Sequence, residues 1–144
     1  VTDEGECLAE SNAILFYLAR NSDLLPGDAL QQARVLQWQF FEQYSHEPYI
    51  AVARFIARYL GMPEHRKAEY ESKQAGGNQA LEVMENKLKT SPFLVGDECT
   101  IANISLYAYT HVADEGGFDL SSYPAISQWL NRIQSLDGYV GMDD

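Results

Sequence analysis

Apolar and polar residues follow a helical rather than a strand rhythm over most of this chain. From about Ala29, the residues Leu30, Ala33, Leu36, Phe40 and Tyr44 recur at three- and four-residue spacing, which predicts a long helix. Pro48 lacks a backbone N–H and crowds the preceding turn, so a kink is expected there. The pattern resumes with Val52, Phe55, Ile56, Tyr59 and Leu60 until Gly61 and Pro63 stop it. A second helix is predicted from about Glu64 to Lys89, charged in its first half, with Leu81, Met84 and Leu88 facing inward in its second. Gly76-Gly77 in its middle costs up to about 1 kcal/mol per glycine. A close helix–helix contact would account for the pair, and the helix is expected to run through it. Past Gly116-Gly117, Ser122 stands where it would cap a further helix carrying Ile126, Trp129, Leu130 and Ile133.

The stretch from Ser91 to Asp114 supplies the centre. A loop with Pro92, Gly96 and Asp97 runs into a segment bearing Ile101, Ile104, Leu106, Tyr107, Tyr109 and Val112, almost without charge until Asp114. Thr100 is placed as its N-cap and Asn103 sits at the reciprocal position of a capping box, with Cys99 and Ile104 at the spacing of a hydrophobic staple. A helix apolar nearly all round is normally buried on all sides. The expected fold is therefore an all-α bundle built around this helix.

The first residues read differently. Asp3-Glu4-Gly5 is a hairpin-turn signal between two short strands, Val1-Thr2 and Glu6 to Ala9. Two such strands make no independent sheet, so they are expected to belong to a larger one lying upstream. Ser11 then caps a short helix over residues 12–20, with Ala13, Ile14, Tyr17 and Leu18 on its apolar side. An acidic residue and a serine at a strand-to-helix turn, next to free N–H groups and a positive dipole end, are compatible with an anion site or with an ordinary cap. Residues 21–28, with Pro26-Gly27, form a linker, and residues 29–144 form the helical domain.

Composition narrows the partners. The chain has 144 residues, is 46% hydrophobic, and carries a net charge of -11 from 21 acidic and 10 basic residues. That length supports one domain with a sizeable core. The acidity disfavours nucleic acid and anionic membrane surfaces, which both need a basic patch, and is read as simple solubility. Cys7 and Cys99 have neither metal-ligand nor redox spacing, which points to a reducing compartment. Cys99 near a helix start is a candidate for a depressed pKa, with packing as the plainer reading. His65 and His111 lack a second ligand at helical spacing, so no metal site is expected. No apolar run approaches the ~18 residues of a membrane span.

Three stretches resemble one family. The loop Phe93-Leu94-Val95-Gly96-Asp97 followed by the threonine-capped apolar helix looks like the core helix of the glutathione transferase C-terminal domain, where Asn103 departs from the family's aspartate. The run AESNAILFYLA, residues 9–19, resembles the last strand and third helix of that family's thioredoxin-like domain, and Leu24-Leu25-Pro26 its interdomain connection. The resemblance implies that residues 1–20 are the end of a thioredoxin-like domain, a short α/β remnant ahead of the bundle. It implies that Glu10 and Ser11 hold the γ-glutamyl end of glutathione. It also implies that the long helix both packs across a homodimer interface and lines the acceptor pocket, which makes Phe41, Tyr44, His46 and Tyr49 acceptor-site or thiol-proximal candidates. The implied activity is transfer of glutathione thiolate to a hydrophobic electrophile in the cytoplasm, with glutathione as co-substrate and no other cofactor, as in detoxification. The family's thiol-activating Tyr, Ser or Cys lies upstream, so no catalytic residue is expected within this chain. Helical domains of this kind attached to translation factors and synthetases set a competing expectation, a non-enzymatic docking module.

Overall fold

The helical rhythm is realised in six α-helices: α1 (Ser11–Ala19), α2 (Ala29–Phe41), α3 (Glu47–Arg54), α4 (Lys67–Leu88), α5 (Ile101–Thr110) and α6 (Pro124–Gln134). The structure, a computed structural model, describes residues 1–141, and among them there is no strand. The hairpin expected at the start is reduced to its turn. Thr2 N–H donates to Glu6 O (2.8 Å), Gly5 takes φ 85°, and no strand pairs with either side. Two short strands without a sheet bury too little to form by themselves.

The long helix departs from α-geometry near Pro48, and the irregularity precedes the proline. Residues Glu42–His46 form a π-helical turn closed by Glu47 N–H on Glu42 O, and Pro48 then falls in the first turn of α3, where its missing donor costs nothing. A second π-helical turn, Phe55–Tyr59, ends the rod. The residues turned inward are Val35, Gln39, Glu42, His46, Ile50, Ala53 and Ile56. The stripe Leu30, Leu36, Phe40 and Tyr44, which carried the helical rhythm, faces out, with Phe40 61% and Tyr44 78% exposed. Hydrophobicity does not set the phase of this helix. Three inward polar groups set it, Gln39, Glu42 and His46, each hydrogen-bonded to a side chain on α1 or α5.

Helix α4 is continuous through Gly76-Gly77, and α3 and the segment before α6 press against the pair. A β-carbon on Gly76 would collide with the Tyr49 ring, and one on Gly77 with the buried Phe118 ring. The main core gathers Ile50, Leu81, Met84, Leu106, Ile126 and Trp129 between α3, α4, α5 and α6. A smaller cluster of Ala19, Val35, Val95, Ile101 and Ala102 joins α1, α2 and α5. Helix α5 lies between them and is buried on most sides, although Ala108 is exposed and Ile104, Tyr107 and Tyr109 are only half-buried.

The helix starts depart from expectation in instructive ways. Thr100 is the N-cap of α5, yet its hydroxyl receives no backbone N–H. The first amide, of Ile101, donates instead to Leu24 O in the linker (3.0 Å), and Asn103 N–H donates to Thr100 O (2.9 Å). The Asn103 side chain is thereby released from reciprocal capping. Its Oδ1 accepts from Leu94 N–H (3.1 Å) and from the indole Nε1–H of Trp129 (2.9 Å), while its Nδ2 donates to the Thr100 hydroxyl (3.2 Å). Cys99 packs toward the main core and Ile104 toward the smaller cluster, so no staple closes over the cap. At α6 the cap is not Ser122. Tyr123 occupies that position, and the buried carboxylate of Glu85 reaches from α4 to accept from Ala125 N–H (3.2 Å) and Ile126 N–H (3.0 Å). Glu115, just past the end of α5, accepts from Arg54 Nε–H at 2.6 Å.

Both hydrogen bonds on Asn103 Oδ1 are buried. Asn103→Ala should therefore destabilise the fold by roughly 2–5 kcal/mol, the cost of two orphaned donors. Asn103→Asp keeps the acceptor, gains the Thr100 hydroxyl as donor and places charge at a helix N-terminus, so near-neutral stability is expected at pH 7. Urea denaturation of the two variants checks this, and an alanine variant as stable as the parent would show that neither donor depends on Asn103.

Candidate functional site

Helix α1 docks through Asn12, Leu15 and Ala19, not through the Ala13, Ile14 and Leu18 face that sequence spacing suggested; those three are exposed. Its N-cap is Glu10 rather than Ser11. Glu10 sits in the left-handed region (φ 69°, ψ 119°), a conformation costly for a residue with a β-carbon. Ser11 is the first helical residue. The Glu10 carboxylate and the Ser11 hydroxyl are both exposed, and neither bonds to another described residue. The amides of the first turn project beside them, so the turn presents donors, a hydroxyl and a positive dipole end to solvent.

What holds this turn is the next residue. Asn12 Nδ2 donates to Glu42 Oε2 (3.1 Å) and Gln39 O (3.3 Å), while its Oδ1 accepts from Ser105 Oγ (2.6 Å) and Gln39 Nε2 (3.2 Å). Gln43 then bridges Glu42 and Glu47 at 2.8 and 2.9 Å. Burial pushes the Glu42 carboxyl up from its ordinary pKa and the Glu47 charge adds to this, partly offset by the Gln43 and Asn12 amides. Sequence reasoning missed Asn12, Gln39, Glu42 and Ser105. Only the spacing of Gln39 and Glu42, three residues apart on the long helix, carried any signal.

The four aromatic and histidine candidates do not converge. Tyr44 stands in solvent. Phe41 and Tyr49 line a small cleft on the α4 side of the long helix, with Gly76 and Val83 opposite, whereas α1 docks against α2 and α5. His46 is in the core, wholly shielded from solvent, which removes it as a residue beside a glutathione thiol. The Thr110 hydroxyl donates to Leu106 O (2.6 Å), so His46 Nε2 at 2.9 Å must be the donor to Thr110 Oγ1. That leaves His46 Nδ1 as a buried acceptor without a partner. Burial drives its pKa down to about 3, and the ring is neutral.

An open groove of about 530 Å³ runs along α3 over Glu47, Ala51, Val52 and Phe55, with Tyr109 on one side and Arg66 and Glu69 on the other. Tyr109 is pushed up by burial, and by the Glu47 and Glu42 charges, which places this groove electrically close to the Asn12 network. Cys99 is pushed up to about 11 by burial and by Glu98, the opposite of an activated thiol. Among the described residues no cluster of three His, Cys, Asp or Glu side chains is placed to hold a metal ion, and no helix is long and apolar enough to cross a membrane.

Comparison with known proteins converges on one family. The model for "Glutathione S-transferase, C-terminal domain" matches residues 38–137. A solved glutathione S-transferase from Pseudomonas fluorescens superposes with a TM-score of 0.96 at 58% identity, covering 99% of this chain and 71% of that one. The disulfide-bond oxidoreductase YfcG of Escherichia coli is 30% identical over 92% of this chain and 62% of its own length. Elongation factor 1-gamma of Artemia salina is 31% identical over 88% of this chain, but only 30% of its own length. The chain thus spans 30% and 62% of the length of these two curated relatives.

The buried neutral His46 has a consequence for acid stability. Its folded pKa lies below the ordinary value of about 6.5, so the unfolded chain binds the extra proton, and stability is lost as pH falls below about 6.5. Between pH 7.5 and pH 5 that loss is about 2 kcal/mol at 1.36 kcal/mol per unit. Urea midpoints of the parent and His46→Gln at both pH values test it, and the variant should show correspondingly less acid sensitivity. Equal sensitivity would mean that His46 is protonated in the fold.

Proposed function

Because this chain belongs to the glutathione S-transferase family through its C-terminal domain, we propose that the complete protein conjugates the glutathione thiolate to a hydrophobic electrophile. The observation that carries the proposal is the Glu10–Ser11 turn. Its side chains are unengaged, its first-turn amides face solvent, and its backbone is pinned from beneath by Asn12 on Glu42, Gln39 and Ser105. Such a turn suits a carboxylate and ammonium pair, the chemistry of a γ-glutamyl end: the amides and Ser11 take the carboxylate, and Glu10 takes the ammonium. The electrophile is best accommodated in the groove over Glu47, Ala51 and Phe55 beside Tyr109. Activation of the thiol falls to a residue outside this chain.

Elongation factor 1-gamma, also similar over most of this chain, supports a second reading, a docking module without catalysis. The two readings differ at the turn. Docking makes no use of a strained Glu10 and an unengaged Ser11. The exposed stripe of Leu36, Phe40 and Tyr44, continued by Phe55 and Tyr59, serves either reading as an association surface, and we place the homodimer contact of the complete protein there.

In the complete protein, Ser11→Ala should weaken glutathione binding by roughly 1.5–3 kcal/mol, the loss of one charge-assisted hydrogen bond. Calorimetric titration decides this, and a parent protein that takes up no glutathione would favour the docking module. Sedimentation equilibrium should show a dimer that Phe40→Lys and Tyr44→Lys together weaken. A strictly monomeric parent at high micromolar concentration would return those aromatics to another role.

A further inference from the structure

The groove along α3 carries charge of one sign. Three charged side chains line it, Glu47, Arg66 and Glu69. Arg66 is engaged by Glu69, its Nε–H and Nη2–H donating to the two carboxylate oxygens at 2.6 and 2.9 Å, so that pair adds no net charge. Glu47 has no such partner. Its carboxylate accepts from the Gln43 amide at 2.9 Å, and the same amide also serves Glu42 at 2.8 Å. Among the described residues no cation lies within ion-pair reach of either carboxylate. Glu47 is half-buried, so water screens its charge only in part, and the buried Glu42 stands one π-helical turn before it.

One wall of the groove is aromatic. Tyr109 on α5 is half-buried there, and its hydroxyl bonds no other described residue. Burial pushes the phenol up first, and the Glu47 and Glu42 charges push it further than Arg54, itself held by Glu115 at 2.6 Å, pulls it back. The field at this wall is therefore negative. Pro48, Ala51 and Val52 give the floor an apolar surface. Phe55, at the edge, also borders the exposed aromatic stripe and is assigned to the subunit contact. A ring and an uncompensated carboxylate both attract positive charge, while an apolar floor holds the body of a small molecule. An anionic molecule would meet the same charges unfavourably.

Resting on the reading of this groove as the acceptor site, we propose that it selects electrophiles that carry a positive charge, a hydrophobic body bearing a quaternary or protonated amine, with Glu47 as the specificity-determining residue. Glu47 draws the cationic group, the Tyr109 ring covers it, and the floor takes the apolar body. The transfer step itself is the same for any charge. The glutathione sulfur bonds to the electrophilic carbon, and the leaving group departs with the electron pair of the broken bond.

The test uses the complete protein, glutathione and two isosteric substrates, para-(trimethylammoniomethyl)benzyl chloride and para-neopentylbenzyl chloride. In both, sulfur displaces chloride at the benzylic carbon, and the remote group differs in charge rather than shape. With kcat/KM divided by the rate constant of the uncatalysed reaction, the cationic chloride should be favoured roughly tenfold, mainly through KM. Glu47→Gln keeps an acceptor for Gln43 and should abolish that preference. Glu47→Asp should retain part of it, and Glu64→Gln, at an exposed carboxylate outside the groove, all of it. Added salt should lower it. Turnover of neither chloride would overturn transfer itself, and this assignment with it. Turnover without a preference in the parent, or a preference that survives Glu47→Gln, would overturn the charge selection and leave transfer standing.

Discussion

One buried amide holds the architecture together. Asn103 Oδ1 takes two buried hydrogen bonds, one from the loop at Leu94 and one from the Trp129 indole on α6. Since both neighbours are donors only, the orientation of the amide is forced, and its nitrogen must turn to the Thr100 hydroxyl. Two separate elements, the loop and α6, are thereby fixed to the first turn of α5. The start of α5 then holds the linker through Ile101 N–H on Leu24 O, and the linker sets where α1 docks. The open turn at Glu10 and Ser11 is thus positioned, several steps on, by a residue more than ninety positions away.

The long helix obeys the same rule. Gln39, Glu42 and His46 occupy its inner face, and each would cost on the order of 1–3 kcal/mol if left unpaired. They are paired with Asn12, Ser105 and Thr110 on α1 and α5, apart from His46 Nδ1. Once these contacts set the rotation of the helix, Phe40 and Tyr44 have nowhere to go but out. The exposed aromatic stripe follows from a polar interior and is not a separate feature.

The scaffold does not choose between catalysis and docking, since similar chains serve as transferases and within elongation factor 1-gamma. What bears on function is local: a strained, unengaged turn at the start of α1 and a neutral histidine withdrawn into the core.

The sequence by itself determined the order and approximate extent of the helical segments, because apolar periodicity and Gly or Pro stops are local signals. Leu81, Met84 and Leu88 on α4, and Ile126, Trp129 and Ile133 on α6, are buried as their spacing implies. The loop into α5 and the Glu10–Ser11 turn were legible because short runs of residues carry them. Tertiary structure alone decided the rotation of α2, the caps of α5 and α6, and the fate of His46. The physical reason is the same in each case. The α6 cap is a carboxylate forty residues upstream, the α5 cap is a linker carbonyl, and the inner face of α2 is chosen by partners on other helices. A hydrogen-bonding group declares in sequence that it needs a partner, and only the folded chain says which partner it has.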